Sequence, residues 1–212
     1  MTLPANKLIT VNDRGARAAT TFGSLSAGGG NMVFIKKLTA SSSGTLSFVD
    51  GASGVVLDDT YKEYVFTFKN IHPATDGSDF TFNLSIDGGS NYNVTKTSTG
   101  FDAYHNESDS GAGLGYDTEA DLAQSTSNQI LVRDVGNDND QNAVGYLHLF
   151  NPSSTTFVKH FMANVQHTQE ADYSINYFIA GYGNTTSAVD AIQFKMSSGN
   201  IDAGDICLYG IL

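Results

Sequence analysis

From Met32 onward apolar and polar residues alternate in short runs broken by Gly, Asp, Asn and Ser, the pattern of half-buried strands joined by turns. The runs predict about eleven strands, over residues 32–39, 45–49, 61–70, 79–86 and 92–99, then 129–134, 144–151, 157–168, 172–183, 191–197 and 205–212. Successive side chains of a strand point to opposite faces. Residues 61–70 therefore set Tyr64, Phe66 and Phe68 against Val65, Thr67 and Lys69, and residues 79–86 turn Phe80, Phe82, Leu84 and Ile86 inward. Asp87-Gly88-Gly89-Ser90 offers the positive-φ positions of a tight hairpin, and Asn151-Pro152-Ser153-Ser154 bridges two further strands. Residues 100–128 interrupt the pattern, and irregular stretches longer than about 12–15 residues are uncommon in compact domains and often functional. Within them a short helix is predicted over residues 118–124, capped by Asp117. So many strands cannot lie in one flat open sheet without stranded edges, so the expected fold is all-β: a jelly-roll-like β-sandwich of about eleven strands over residues 32–212. No repeat of fixed period suggests a solenoid or propeller.

Residues 1–31 lack this alternation and end in a Gly28-Gly29-Gly30 joint. They are read as an extended N-terminal arm, too sparsely apolar for a core of its own. Composition supports the strand reading of the remainder. Of 212 residues 40% are hydrophobic and only 16% charged, with 22 Gly, 13 Phe, 10 Tyr and no Trp, while Ser, Thr and Asn number 58. Polarity comes from small neutral side chains, which disfavours long surface helices. The single Cys207 can neither close an intrachain disulfide nor build a Cys-rich zinc site. The net charge of −11 argues against a nucleic-acid partner, since phosphate contact needs gathered Lys and Arg. Charge is also unevenly spread: Lys7, Arg14, Arg17, Lys36 and Lys37 face Asp13 alone in residues 1–49, so a basic front joins an acidic body. No apolar run of about 20 residues predicts a membrane span, and the first residues lack the apolar core of a secretory signal, so a soluble product with no membrane partner is expected.

A search for chemistry returns candidates and no constellation. The five His form no ligand pair: His148 points away from Leu147 and Leu149, toward solvent, and His160 and His167 fall on opposite faces of one strand. Asp138, Asp140 and Asn142 present hard oxygens at alternate positions, as calcium requires. Without the Gly and Glu of an EF-hand loop, however, a solvated hairpin turn is the preferred reading, and no metal or other cofactor is expected. Gly111-Ala112-Gly113-Leu114-Gly115 lacks a surrounding βαβ unit, and Glu107, Asp109 and Asp117 would repel a phosphate. No Gly-x-Ser-x-Gly elbow supports a nucleophile at Ser110, so no catalytic residue is assigned and the chain is read as a non-enzyme. Sequons at Asn83, Asn93, Asn106 and Asn184 reflect composition. Tyr104, His105 and Tyr116 remain, grouped in residues 100–128 as a possible ligand loop.

Two segments carry a resemblance. Phe68-Lys69-Asn70-Ile71-His72-Pro73-Ala74-Thr75-Asp76 with Phe80 to Leu84 and Ser85-Ile86-Asp87-Gly88-Gly89-Ser90-Asn91-Tyr92-Asn93, and the ending Ser198-Gly199-Asn200-Ile201-Asp202-Ala203-Gly204-Asp205-Ile206-Cys207-Leu208-Tyr209-Gly210-Ile211, resemble structural proteins of tailed bacteriophages, marine cyanobacterial viruses among them. The likeness spans residues 32–212 and leaves 1–31 outside. It implies a virion protein, assembled in the host cytoplasm, that binds the major capsid protein or other virion proteins as a homo-oligomer, expected to be a trimer. In a capsid decoration, cement or head-fibre protein, Arg14, Arg17, Phe22 and Leu25 of the arm would dock on the particle while the sandwich projects outward. The alternative is a tail or tail-fibre module that binds host surface glycans through residues 100–128. A polysaccharide-cleaving enzyme of the same architecture would instead use acidic residues of that stretch, and fold alone does not choose among the three.

Overall fold

The structure, a computed structural model, describes residues 9–12, 15–19 and 31–212. The chain divides into two compact units, Met1–Met32 and Val33–Leu212. In the first, β1 (Ile9–Asn12) and β2 (Gly15–Ala19) form an antiparallel ladder with Ile9 opposite Ala19 and Asn12 opposite Gly15, so the segment read as an extended arm contains a two-stranded pairing. Arg17 falls in β2. Arg14, Phe22 and Leu25 lie outside the described residues.

The second unit is all-β, with no helix among the described residues. Its strands are β3 (Met32–Ser43), β4 (Leu46–Val49), β5 (Glu63–Pro73), β6 (Ser78–Ser85), β7 (Lys96–Asn106), β8 (Ala112–Tyr116), β9 (Gln129–Val135), β10 (Ala143–Phe150), β11 (Lys159–Gln169), β12 (Tyr173–Gly183), β13 (Ala191–Met196) and β14 (Ile201–Ile211). All twelve belong to one sheet. One limb runs β3-β14-β5-β10-β11-β12-β7-β8 and the other β9-β6-β13-β4; the limbs join where Gln169 of β11 meets Val135 of β9. Neighbouring strands along both limbs, from β14 to β8 and from β9 to β4, run antiparallel. The sheet curls into a nearly closed, barrel-like form. Aromatic contacts show the closure: Phe194 of β13 lies 5.4 Å, centroid to centroid, from both Phe66 and Phe68 of β5, and Phe82 of β6 lies 5.1 Å from Phe161 of β11.

The inward alternation produces this packing. Tyr64, Phe66, Phe68, Phe80, Phe82 and Leu84 are buried in one apolar cluster with Leu147, Leu149, Phe161 and Phe194. Each such side chain contributes roughly 1.5–3 kcal/mol on leaving water. Ile86 lies one residue past β6 and is exposed, the one inward position of that run that fails. Chain reversal follows turn chemistry, with Gly88 and Gly89 at φ of 70° and 79° and the Ser154 N–H donating to the Asn151 carbonyl.

Candidate functional site

The stretch read as irregular, residues 100–128, holds strand over 100–106 and 112–116. β7 continues to Asn106, matched residue for residue with β12 from Lys96 opposite Gly183 to Asn106 opposite Tyr173, and β8 then pairs with β7. The alternation ends early in sequence because Thr99, Phe101, Ala103 and His105 face outward at the sheet margin beside small or polar neighbours. No buried face imposes a period there. The expected helix over residues 118–124 is also absent. The Asp117 Oδ1 accepts the Glu119 N–H two residues on, forming an Asx turn in place of a helix cap, and the chain beyond hydrogen-bonds to the start of β7 through Leu122 and Ser125. The glycine run 111–115 forms β8 and its approach, so no helix N-terminus follows it for a phosphate.

The three candidate ligand residues are close in sequence yet do not converge. His105 and Tyr116 face one side of the β7–β8 pair and Tyr104 the other, because Tyr104 is opposite Gly113 while Tyr116 is opposite Phe101. The Tyr104 ring lies 5.9 Å from that of Tyr173 and covers Gly113, where a Cβ would sit 2.8 Å from the ring. With Gln169 and Ile175 these tyrosines line a shallow cavity of about 290 Å³. The His105 Nε2 lies 3.2 Å from Asp109 Oδ1, a solvent-exposed pair at the hairpin tip. The Tyr116 hydroxyl donates to Asp121 Oδ2 at 2.5 Å, and that bond raises the phenol above its ordinary pKa. The platform is thus one tyrosine pair on one side and a separate phenol on the other.

Beneath the hairpin sits a charged network that no local motif announces. Arg133 of β9 reaches Asp117 Oδ2 at 3.3 Å and Glu119 Oε2 at 2.5 Å, while the Tyr177 hydroxyl of β12 donates to Asp117 Oδ2 at 3.0 Å. Burial acts to raise the Asp117 carboxyl, but the Glu119 N–H, the Tyr177 hydroxyl and the guanidinium together hold it below the usual range. Burial and the neighbouring Asp117 charge push the Tyr177 phenol far up, so it stays a donor. The group ties residues 117–119 to two strands. A sequence signal is lacking because its members lie 16 and 60 residues apart.

Asp138 and Asp140 are exposed in the turn between β9 and β10, closed by the Gln141 N–H donating to the Asp138 carbonyl and by the Asp138 N–H donating to Gln141 Oε1. Asn142 is half-buried, directly before β10. Among the described residues no three His, Cys, Asp or Glu side chains gather as a metal site, and no helix is long and apolar enough to cross a membrane. His148 points outward as expected and meets the Glu63 carboxylate through Nδ1; of the His160 and His167 pair, only His167 is buried.

The feature missed in sequence is larger than any of these. On the outward face of β7, β8, β10, β11 and β12, Phe101, Leu114, Tyr116, Tyr146, Met162 and Phe178 are all exposed. Phe101 and Phe178 stack at 5.3 Å, 8° from parallel. Beside them lie cavities of about 460 Å³, between Thr99, Phe150, Met162 and Tyr182, and about 280 Å³, between Tyr146, His148, Met162 and Phe178. The signal was present in Tyr146-Leu147-His148-Leu149-Phe150, where both alternating sets are apolar or aromatic. No protein-family model, curated protein or solved structure matches the chain.

Proposed function

We propose that the chain is a structural protein of a tailed-bacteriophage virion, a capsid decoration, cement or head-fibre protein. In this reading its N-terminal segment docks on the major capsid protein or another virion protein, and its β body, a jelly-roll-like sandwich, projects from the particle. The observation that carries the reading is the division after Met32 into a small unit and a large all-β unit; the small unit holds Lys7, Arg14 and Arg17 against Asp13 alone, and the other acidic residues follow it. The resemblance adds to it, since its two segments meet in one place: β14 pairs with β5 from Ile201 opposite Pro73 to Ile206 opposite Phe68. Docking a small basic segment in many copies multiplies weak contacts into firm attachment. Deleting residues 1–31 should leave a body with unchanged circular dichroism that no longer co-sediments with particles; full incorporation of the truncated chain refutes the reading.

The Tyr104–Tyr173 pair, open beside its shallow cavity, favours a second reading, a tail or tail-fibre module that stacks host surface glycans. That reading expects density for the chain on the tail in a cryo-electron-microscopy map of the virion, and adsorption lost in Tyr104→Ala. Density over the capsid lattice, with adsorption intact in the variant, eliminates it.

A further inference from the structure

The outward positions of β7, β8, β10, β11 and β12 hold no Lys, Arg, Asp or Glu, although charged residues make up 16% of the chain and ordinarily occupy such surfaces. Cross-strand register lays a row through the middle of this face: Tyr116, Phe101, Phe178, Asn164 and Tyr146 stand opposite one another on consecutive strands. Leu114, 74% exposed, and Met162, 52% exposed, lie in the rows on either side. Five strands at about 4.8 Å and nine residues at about 3.3 Å span roughly 24 Å by 30 Å. That footprint of about 700 Å² approaches the roughly 800 Å² each partner contributes to a stable interface of standard size.

Two further observations select the occupant. The central polar side chains are satisfied within the face: Asn164 and Asn176 exchange hydrogen bonds of 2.8 and 3.2 Å, and Gln166 donates to the Ser174 hydroxyl at 2.9 Å. Covering them leaves few orphaned groups, and they offer few free donors or acceptors for a sugar. The residues from Val33 onward, meanwhile, carry all but one of the chain's 22 acidic residues against eight of its 11 Lys and Arg. Two copies repel wherever acidic surfaces meet. A face without charge is where like-charged copies can close.

We propose that the outward face of β7, β8, β10, β11 and β12 is the contact between copies of this chain, with the Phe101–Phe178 stack and Met162 at its centre. The choice of a second copy rests on the reading of a virion protein present in many copies.

The test is the solution mass of the full chain by sedimentation across a concentration series at neutral pH, with Phe178→Lys and Met162→Lys as variants and circular dichroism as the control for folding. The wild type is expected at two or more times 22.5 kDa, and both variants at the monomer mass with unchanged spectra. Both side chains point outward, so if one variant misfolds the other carries the test. A monomeric wild type overturns the proposal, as does a multimer that survives both substitutions. A monomer that binds a glycan, and loses it in Phe178→Lys, overturns it in favour of a ligand face. The measurement uses no particles: chain absent from purified virions with the multimer intact rejects the virion reading alone, and chain present on virions with a monomer in solution rejects this contact alone.

Discussion

His167 gives the most direct reading of core energetics. It lies on the inward side of β11, 2% exposed, with its ring 5.9 Å from that of Tyr177, and among the described residues neither ring nitrogen meets a hydrogen-bond partner. Burial pushes its pKa from 6.5 down to about 4, offset only in part by the nearby backbone of Arg133 and Ile175. The sign follows from proton counting. Between pH 6.5 and about 4 the unfolded chain binds a proton that the folded chain refuses, so this contribution to stability is intact above pH 6.5 and is lost as pH falls toward 4. At 1.36 kcal/mol per pH unit the full loss is about 3 kcal/mol, with about 2.5 kcal/mol gone by pH 4.5. Urea unfolding of the wild type and of His167→Leu from pH 7.5 to 4.5 isolates it, since every other titrating group is common to both. Replacing the ring by an apolar side chain of similar volume also removes the unpartnered nitrogens, so the variant should fold at neutral pH. The stability difference should shift by about 2.5 kcal/mol in favour of the variant across that range. A difference constant to within about 0.5 kcal/mol would show that the folded protein accommodates the imidazolium, through water entry or a ring flip, and would refute the burial argument.

Lys96 makes the same argument with an amine: it is fully buried, its Nζ donates to Asn83 Oδ1 at 2.5 Å and the Val94 carbonyl at 2.8 Å, and burial pushes its pKa from 10.5 down to about 8. The folded chain sheds this proton before the unfolded chain does, so stability should rise by up to about 3 kcal/mol between pH 8 and 10.5 relative to Lys96→Met, checked by urea midpoints at the two ends of that window. Arg133→Ala leaves Asp117, 9% exposed, without its cation and should cost about 1–3 kcal/mol. Hydrogen exchange should then accelerate in residues 117–125, and unchanged protection there would show that the Tyr177 hydroxyl suffices. Gly145→Ala should cost more than about 2 kcal/mol, because a Cβ there would lie 2.3 Å from the Asn164 carbonyl oxygen at a φ of 156°, in the β10 bulge opposite β5; a thermal midpoint within a degree or two of wild type would refute the close approach.

The inward half of the sheet was legible because burial on one face imposes a period of two, and Phe66, Phe68, Phe80 and Phe82 announce themselves by it. The outer half of β7 and all of β8 carry no such imprint. They are held by ladder hydrogen bonds, β7 to β12 and β8 to β7, to which side-chain identity contributes little. Lys96 and Lys159 were illegible for a different reason: a lysine in a strand reads as outward, yet both are fully buried, the Lys159 ammonium held by the carbonyls of Ser154 and Phe157 at 2.7 Å and of Thr185 at 3.2 Å. Those acceptors come from loops 26 or fewer residues away whose course no periodicity predicts. Grouping Tyr104, His105 and Tyr116 by nearness in sequence failed to anticipate that a strand sends neighbours to opposite faces.

The outward face raises the complementary problem, since its residues were visible in sequence and only their use was not. β10 is apolar on both sides, Leu147 and Leu149 inward and Tyr146, His148 and Phe150 outward, a pattern that sequence assigns to a strand covered by two layers. The fold supplies one layer, the curl of β6 and β13 over β5 and β11. Phe178 and Met162, 43% and 52% exposed, contribute little to that core, so Phe178→Thr should leave the unfolding free energy within about 1 kcal/mol of wild type. If it does, while association between copies is lost, the second layer that β10 calls for is supplied from outside the chain. If Phe178→Thr instead destabilises the isolated chain by several kcal/mol, the face belongs to the fold itself, and the apolar character of both sides of β10 needs no partner.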